Sequence, residues 1–247
     1  MSLSASQVAL EARGVGKRYG STTALEGASV VVRRGSCTAL VGESGSGKTT
    51  LLRTFNRMVD PDQGVVRVAG EDVSGLDPVD LRRSIGYVQQ EGGLLPHWTI
   101  LRNVALVPWL CGDGDADQKA RDALALVGLP EGTFTRWPRE LSGGQRQRAA
   151  LARALAGART TLLLDEPFGA LDAITRVGVQ RTFARVREEL DLTVLLVTHD
   201  LREAFELADQ VVVMKGGVVD QAAAPGELVA SPASPYVAEL LDKAGVS

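Results

Sequence analysis

Short apolar runs recur along the chain without alternation, each closed by turn residues. Val30-Val31-Val32 ends at Arg33-Arg34-Gly35, and Thr38-Ala39-Leu40-Val41 runs straight into a glycine-rich segment. Thr161-Leu162-Leu163-Leu164, Thr193-Val194-Leu195-Leu196-Val197 and Val211-Val212-Val213-Met214 repeat the pattern. A strand that is apolar at every position is buried on both faces, as in a parallel sheet covered by helices. Between these runs, helical patterns fill 49–58, 145–156, 173–190 and 201–207. Strands alternating with helices predict an α/β fold.

Two stretches break the rhythm. Residues 8–35 and 64–73 are rich in Val, Gly and single charges, and predict antiparallel strands with tight turns. Residues 91–158 hold almost no strand-like run and predict an inserted helical subdomain, entered at Gly92-Gly93 and Pro96 and interrupted by a loop at Asp113-Gly114-Asp115. The expected division is therefore 8–90 with 159–224 as an α/β core and its antiparallel β subdomain, 91–158 as the helical insert, and 225–247 as a C-terminal cap. That cap has a short helix around Tyr236 to Leu241. Neither an internal repeat nor a low-complexity segment is present.

Composition narrows the class. The 247 residues, 45% apolar and 23% charged, suit one large domain or two small ones. With 27 Lys+Arg against 30 Asp+Glu, the net charge of -3 lacks the cationic excess of a non-specific nucleic-acid binder. Two cysteines, Cys37 and Cys111, exclude a disulfide framework and point to a reducing compartment. The opening MSLSASQVALEARG has no apolar run of a secretory signal, and no stretch nears the roughly 18 continuous apolar residues of a membrane span. The expectation is a soluble chain whose membrane role, if any, comes through a partner.

Gly42-Glu43-Ser44-Gly45-Ser46-Gly47-Lys48-Thr49 matches G-x-x-x-x-G-K-[ST] between a strand and a helical pattern, the context the motif needs. Its glycines let backbone N–H groups turn inward around phosphate oxygens, at a helix N-terminus that adds partial positive charge. Lys48 can reach β- and γ-phosphates, and the Thr49 hydroxyl can ligate Mg²⁺. A second acidic element, Asp165-Glu166, closes the strand 161–164, where ligands bind in open α/β sheets. Asp165 is placed to hold Mg²⁺ with Thr49, and Glu166 to polarise an attacking water. By itself that pair is more simply a solvated strand end; the phosphate cradle in the same chain favours the catalytic reading. A third element, Leu141-Ser142-Gly143-Gly144-Gln145, opens the helix of 145–156, with Ser142 as a good N-cap and two glycines that admit an anion. On physical grounds alone it is equally a capped surface helix.

Taken together, LSGGQ and the phosphate loop make the chain resemble the ATP-binding subunit of an ABC transporter over nearly its whole length. The resemblance implies a RecA-like P-loop NTPase core with an antiparallel β subdomain and an inserted α-helical subdomain. It implies ATP and Mg²⁺ as ligands, with nucleotide contacts from the whole loop through Thr50. Tyr19 sits where the family stacks an aromatic on adenine. Gln90 matches the glutamine that reaches Mg²⁺ and links to the transmembrane partner, although Gln89 lies beside it. Asp172, in Gly169-Ala170-Leu171-Asp172, matches the loop that passes between monomers. His199 matches the switch histidine at the γ-phosphate, whereas His97 falls near the membrane-domain contact and is assigned no chemistry. Because cradle and signature are far apart in the implied fold, the family sandwiches ATP between the cradle of one copy and Ser142, Gly143, Gly144 and Gln145 of a second, head to tail.

The segments 85–108 and Glu166-Pro167-Phe168-Gly169-Ala170-Leu171-Asp172-Ala173 are similar to ATPases of importers for osmoprotectants and quaternary amines such as glycine betaine or choline, although Ala173 stands where that family usually has Pro. The resemblance then implies permease subunits, an extracytoplasmic substrate-binding protein as an indirect partner, and a peripheral place on the cytoplasmic face of the cell membrane. It is to shorter members without CBS domains, so no ionic-strength sensor is expected in this subunit. Amino acids or another solute remain alternative cargoes, and a non-import ABC ATPase on a membrane complex is a further alternative. Chromosome and repair members carry a long coiled coil between the motifs, and ribosomal members have two cores. Here fewer than a hundred residues separate Thr49 from Leu141 and there is one cradle.

Overall fold

A computed structural model describes residues 7–246. The first six residues of the stretch read above for a leader, and Ser247 of the cap, lie outside it. In chain order the strands are β1 (Val8–Tyr19), β2 (Thr22–Arg33), β3 (Cys37–Val41), β4 (Gln63–Val68), β5 (Glu71–Asp72), β6 (Gly86–Val88), β7 (Thr161–Asp165), β8 (Thr193–Val197), β9 (Gln210–Lys215) and β10 (Val218–Ala223). The helices are α1 (Lys48–Thr54), α2 (Pro78–Ser84), α3 (Ile100–Leu110), α4 (Ala116–Leu126), α5 (Gly143–Leu155), α6 (Ala173–Glu189), α7 (Leu201–Leu207), α8 (Pro225–Ala230) and α9 (Pro235–Ala244). The chain divides into two compact units, one running to Arg82 and resuming at Thr193, the other covering 83–192.

In the first unit, β3 lies parallel to both β8 and β9, and β10 turns back antiparallel on β9. β3 and β8 are buried at every position, which explains their unbroken apolar runs. A separate antiparallel sheet has the order β2-β1-β4-β5, with several register shifts between β1 and β2. The helix expected over 49–58 closes after Thr54. Arg57 takes a left-handed φ of 52°, and the N–H groups of Met58 and Val59 both fold back to the Arg53 carbonyl at 3.1 Å. The C-terminal stretch holds two helices, α8 and α9, where one was expected.

In the second unit, β6 pairs in parallel with β7, whose last four residues are buried. Between 91 and 158 all regular structure is helical, as α3, α4, α5 and two short 3-10 turns. Side chains cap two of the helices in this unit: Thr99 accepts from Arg102 N–H ahead of α3, and Asp172 accepts from Thr175 N–H ahead of α6. Buried Asn103 accepts from Leu95 N–H at 2.6 Å and donates to the carbonyls of Leu95 and Trp98, which ties the entry loop to α3. Phe168 and Phe183 meet with ring centroids 6.0 Å apart and are both almost fully buried.

No helix among the described residues is long and apolar enough to cross a membrane. Phe183→Ala should lower stability by about 3–5 kcal/mol, since it removes a buried ring and leaves a cavity. Urea unfolding measures this, and a loss below about 1 kcal/mol would show that the Phe168–Phe183 contact is dispensable.

Candidate functional site

The phosphate loop is built by close backbone approach. Gly42 leaves β3 at φ 144°, and a Cβ there would stand 2.1 Å from the Met214 carbonyl at the end of β9. Gly47, at φ 98°, would bring a Cβ to 2.4 Å from the Ala24 carbonyl of β2. Neither position can hold a side chain unless the surrounding strands move. The β9–β10 turn closes the nest, with Gly217 N–H donating to Ser46 O at 3.0 Å and Glu26 N–H donating to Gly217 O at 2.9 Å.

Lys48 is 6% exposed, and its ammonium folds back over the loop. It donates to Gly42 O at 2.8 Å, Glu43 O at 2.7 Å and Ser46 Oγ at 3.3 Å. Gly47 caps α1 without any side-chain acceptor, whereas α3, α5, α6, α7 and α9 all begin with a side-chain oxygen bonded to a first-turn amide. A buried cation beside a helix start with no side-chain cap suits an anion with several oxygens. Thr49 and Thr50, half-buried, follow in the first turn of α1. Glu43, Ser44 and Gly45 form the exposed crown of the loop.

Two further residues singled out above belong to this unit. Tyr19 ends β1 half exposed, with Lys17 Nζ 5.6 Å from its ring centroid. His199 is exposed after β8, directly before Asp200, which caps α7 by accepting from Arg202 N–H at 3.0 Å and Glu203 N–H at 3.4 Å.

The second unit gathers the carboxylates. Asp165 is 3% exposed at the end of β7, and Tyr87 Oη of the neighbouring strand donates to its Oδ2 at 3.4 Å. Glu166 follows with φ 48°, a left-handed conformation that a side chain with a Cβ adopts at a cost. Gln90 Nε2 donates to Glu166 Oε2 at 3.2 Å. Gln89 instead lies against Gly93, so the structure separates the two adjacent glutamines. Within this unit Gln90 and Asp165 offer an amide oxygen and a carboxylate, hard oxygen donors of the kind that suits Mg²⁺.

Ser142 and Gln145 are already engaged with each other. Ser142 Oγ accepts from Gln145 N–H at 3.3 Å while Gln145 Oε1 accepts from Ser142 N–H at 3.0 Å, a capping box at the head of α5. Gly144 has a packing reason as well, because a Cβ there would meet Thr175 Cγ2 of α6 at 2.4 Å, while Gly143 is looser, with Leu171 at 3.4 Å. Asp172 is exposed, and the Thr175 amide holds its carboxyl below the usual range.

Sequence reasoning missed Arg153. From the far end of α5 it donates to Gly92 O and Gly93 O, each at 2.7 Å, and so clasps the segment just after Gln90. Burial lowers its pKa. Its acceptors are backbone carbonyls some sixty residues upstream, and backbone acceptors carry no sequence signal.

A strand entering a glycine loop and an anion-ready helix, on a parallel sheet, defines a P-loop NTPase of the RecA-like α/β class. The chain belongs to the ABC transporter family, whose model, described as "ABC transporter", matches residues 25–169. It is 45% identical over 202 residues to the carnitine transport ATP-binding protein OpuCA of Listeria monocytogenes serotype 1/2a, covering 81% of this chain and 51% of that protein. The chain thus spans about half the length of that relative. It is 44% identical over 240 residues to the sulfate/thiosulfate import ATP-binding protein CysA of Pseudomonas putida, covering 95% of this chain and 72% of that one. Among solved structures it resembles the dimeric post-hydrolysis state of the ATP-binding cassette MJ0796 bound to ADP and Pi, with a TM-score of 0.78, 31% identity, and coverage of 87% and 98%.

The left-handed backbone at Glu166 can be tested directly. Glu166→Gly and Glu166→Ala both delete the carboxylate, but only glycine relieves the strain, so the glycine variant should be the more stable by about 1 kcal/mol. Equal urea midpoints would show that this conformation carries no strain.

Proposed function

We propose that this chain is the ATP-hydrolysing subunit of an ABC importer. The observation that supports this most is Glu166, presented beside buried Asp165 at the end of β7 with Gln90 bonded to its carboxylate, in a chain that also carries the Lys48 loop. In this reading 8–90 and 159–224 form the nucleotide-binding core, 91–158 carries the signature, and 225–247 is the cap. The loop from Gly42 to Thr50 binds the phosphates of ATP, with Lys48 swinging from the Gly42 and Glu43 carbonyls to the β- and γ-phosphate oxygens. Tyr19 stacks on adenine. Thr49, Asp165 and Gln90 hold Mg²⁺, which when bound neutralises phosphate charge. Glu166 accepts a proton from the attacking water, Gln90 orients that carboxylate, and His199 donates to the γ-phosphate. Water adds to the γ-phosphorus as the bond to ADP breaks, which releases ADP and phosphate.

Ser142, Gly143, Gly144, Gln145 and Asp172 serve the nucleotide of a second copy, arranged head to tail. The dimeric form of the MJ0796 cassette supports a pair of copies. The chain works on the cytoplasmic face of the membrane with permease subunits and, through them, an extracytoplasmic binding protein. Carnitine is a quaternary amine, so the OpuCA relative supports an osmoprotectant of that class, such as glycine betaine or choline, as cargo. A sulfate or thiosulfate importer is the second reading, favoured by the longer span of the match to CysA.

Glu166→Gln should lower steady-state ATP hydrolysis by at least about 100-fold while ATP binding persists and a dimer accumulates on gel filtration. Undiminished turnover would remove Glu166 from the chemistry. Mild detergent extraction of the native complex should bring a permease with the chain. The ligand held by the matching binding protein, a quaternary amine or a sulfur oxyanion, decides between the two cargo classes.

A further inference from the structure

The phosphate loop is held from outside its own motif. Tyr236, in the first turn of α9, is 9% exposed, and its Oη accepts the Glu43 N–H at 3.3 Å across 193 residues of sequence. That N–H belongs to the peptide joining Gly42 to Glu43, and the carbonyl of the same peptide accepts from Lys48 Nζ at 2.8 Å. The peptide is planar, with N–H and C=O pointing in opposite directions. Restraining one end therefore sets where the other points. Hydrogen bonds in series through one amide also polarise each other.

The helix that carries Tyr236 is fastened at both ends. Ser234 Oγ accepts from Val237 N–H at 3.2 Å and donates to Asp220 Oδ2 at 2.5 Å. At the other end Arg202 Nε donates to Ala244 O at 2.7 Å. Val237 and Leu241 are buried, and Lys215 Nζ stands 4.4 Å above the Tyr236 ring. Arg202 lies in the first turn of α7, whose cap Asp200 directly follows His199, so α9 spans from the phosphate loop to the segment that carries His199.

We infer that Tyr236 is a positioning residue: through the Gly42–Glu43 peptide its hydroxyl sets the place of the Lys48 ammonium, and so the affinity of the loop for nucleotide phosphates. This rests on the nucleotide-binding reading given above. The test is ATP titration, followed with a fluorescent ATP analogue, of the intact chain, Tyr236→Phe, Lys48→Ala and the double variant. Tyr236→Phe keeps the ring and removes the hydroxyl that accepts the Glu43 N–H, so its thermal midpoint should stay close to wild type while the ATP Kd rises about 3- to 10-fold, the worth of one hydrogen bond. In the Lys48→Ala background the same change should shift Kd less than about twofold, because coupled residues are non-additive. Wild-type affinity in Tyr236→Phe, or an equal fold-change in both backgrounds, overturns the proposal while the nucleotide-binding reading stands. A wild-type chain that binds no ATP overturns that reading and the proposal with it.

Discussion

At Gly42 the backbone passes so close to the Met214 carbonyl that a β-carbon would stand 2.1 Å from the oxygen, and Gly47 is in the same position against Ala24. This exclusion of side chains organises the first unit. It lets the loop turn back on itself between β3 and α1, and it packs that loop between the ends of β2 and β9 and the Gly216–Gly217 turn. The loop encloses Lys48, the one cation in the motif, and leaves the start of α1 without a side-chain cap. An anion-binding loop of this kind needs a scaffold more rigid than itself, and here fully buried β3 and β8 and the buried middle of β9 supply it.

The second unit solves a different problem with the same elements. Its buried strand β7 ends in two acids that are treated unequally. Asp165 is buried and meets a tyrosine hydroxyl, while Glu166 itself takes a left-handed backbone and meets an amide. Adjacent carboxylates in unlike surroundings can take unlike roles. Around them, Arg153 fastens the chain after Gln90 to α5, the helix whose other end carries Ser142 and Gln145. Gln90, bonded to Glu166, and α5 are thus parts of one framework within this unit.

Much of this was legible in the residues. Unbroken apolar runs located β3, β7, β8 and β9, because burial on both faces leaves no polar position. The capping serine of α5 and the glycine spacing of the loop were also plain, since caps and tight turns are chosen by a few neighbouring residues. The short strand β6, the end of α1 and the existence of α8 were not. A three-residue strand has no period to read, and α1 ends at Thr54, ahead of Arg57, whose left-handed backbone no glycine announces. The resemblance chose Gln90 over its neighbour Gln89, but only the fold turns its amide toward Glu166.

The sequence by itself determined the chemistry available: a glycine loop with its lysine, a strand closing in Asp165-Glu166, the LSGGQ turn and a net charge of -3. Those features are local, set by residues within one turn of each other. Tertiary structure alone decided which groups hold them in place. Tyr236 on the Glu43 amide, Arg153 on the Gly92 and Gly93 carbonyls and Thr175 against Gly144 are contacts over long or unpatterned separations. The first two end on backbone atoms that every residue shares, and so no pattern of side chains could disclose them.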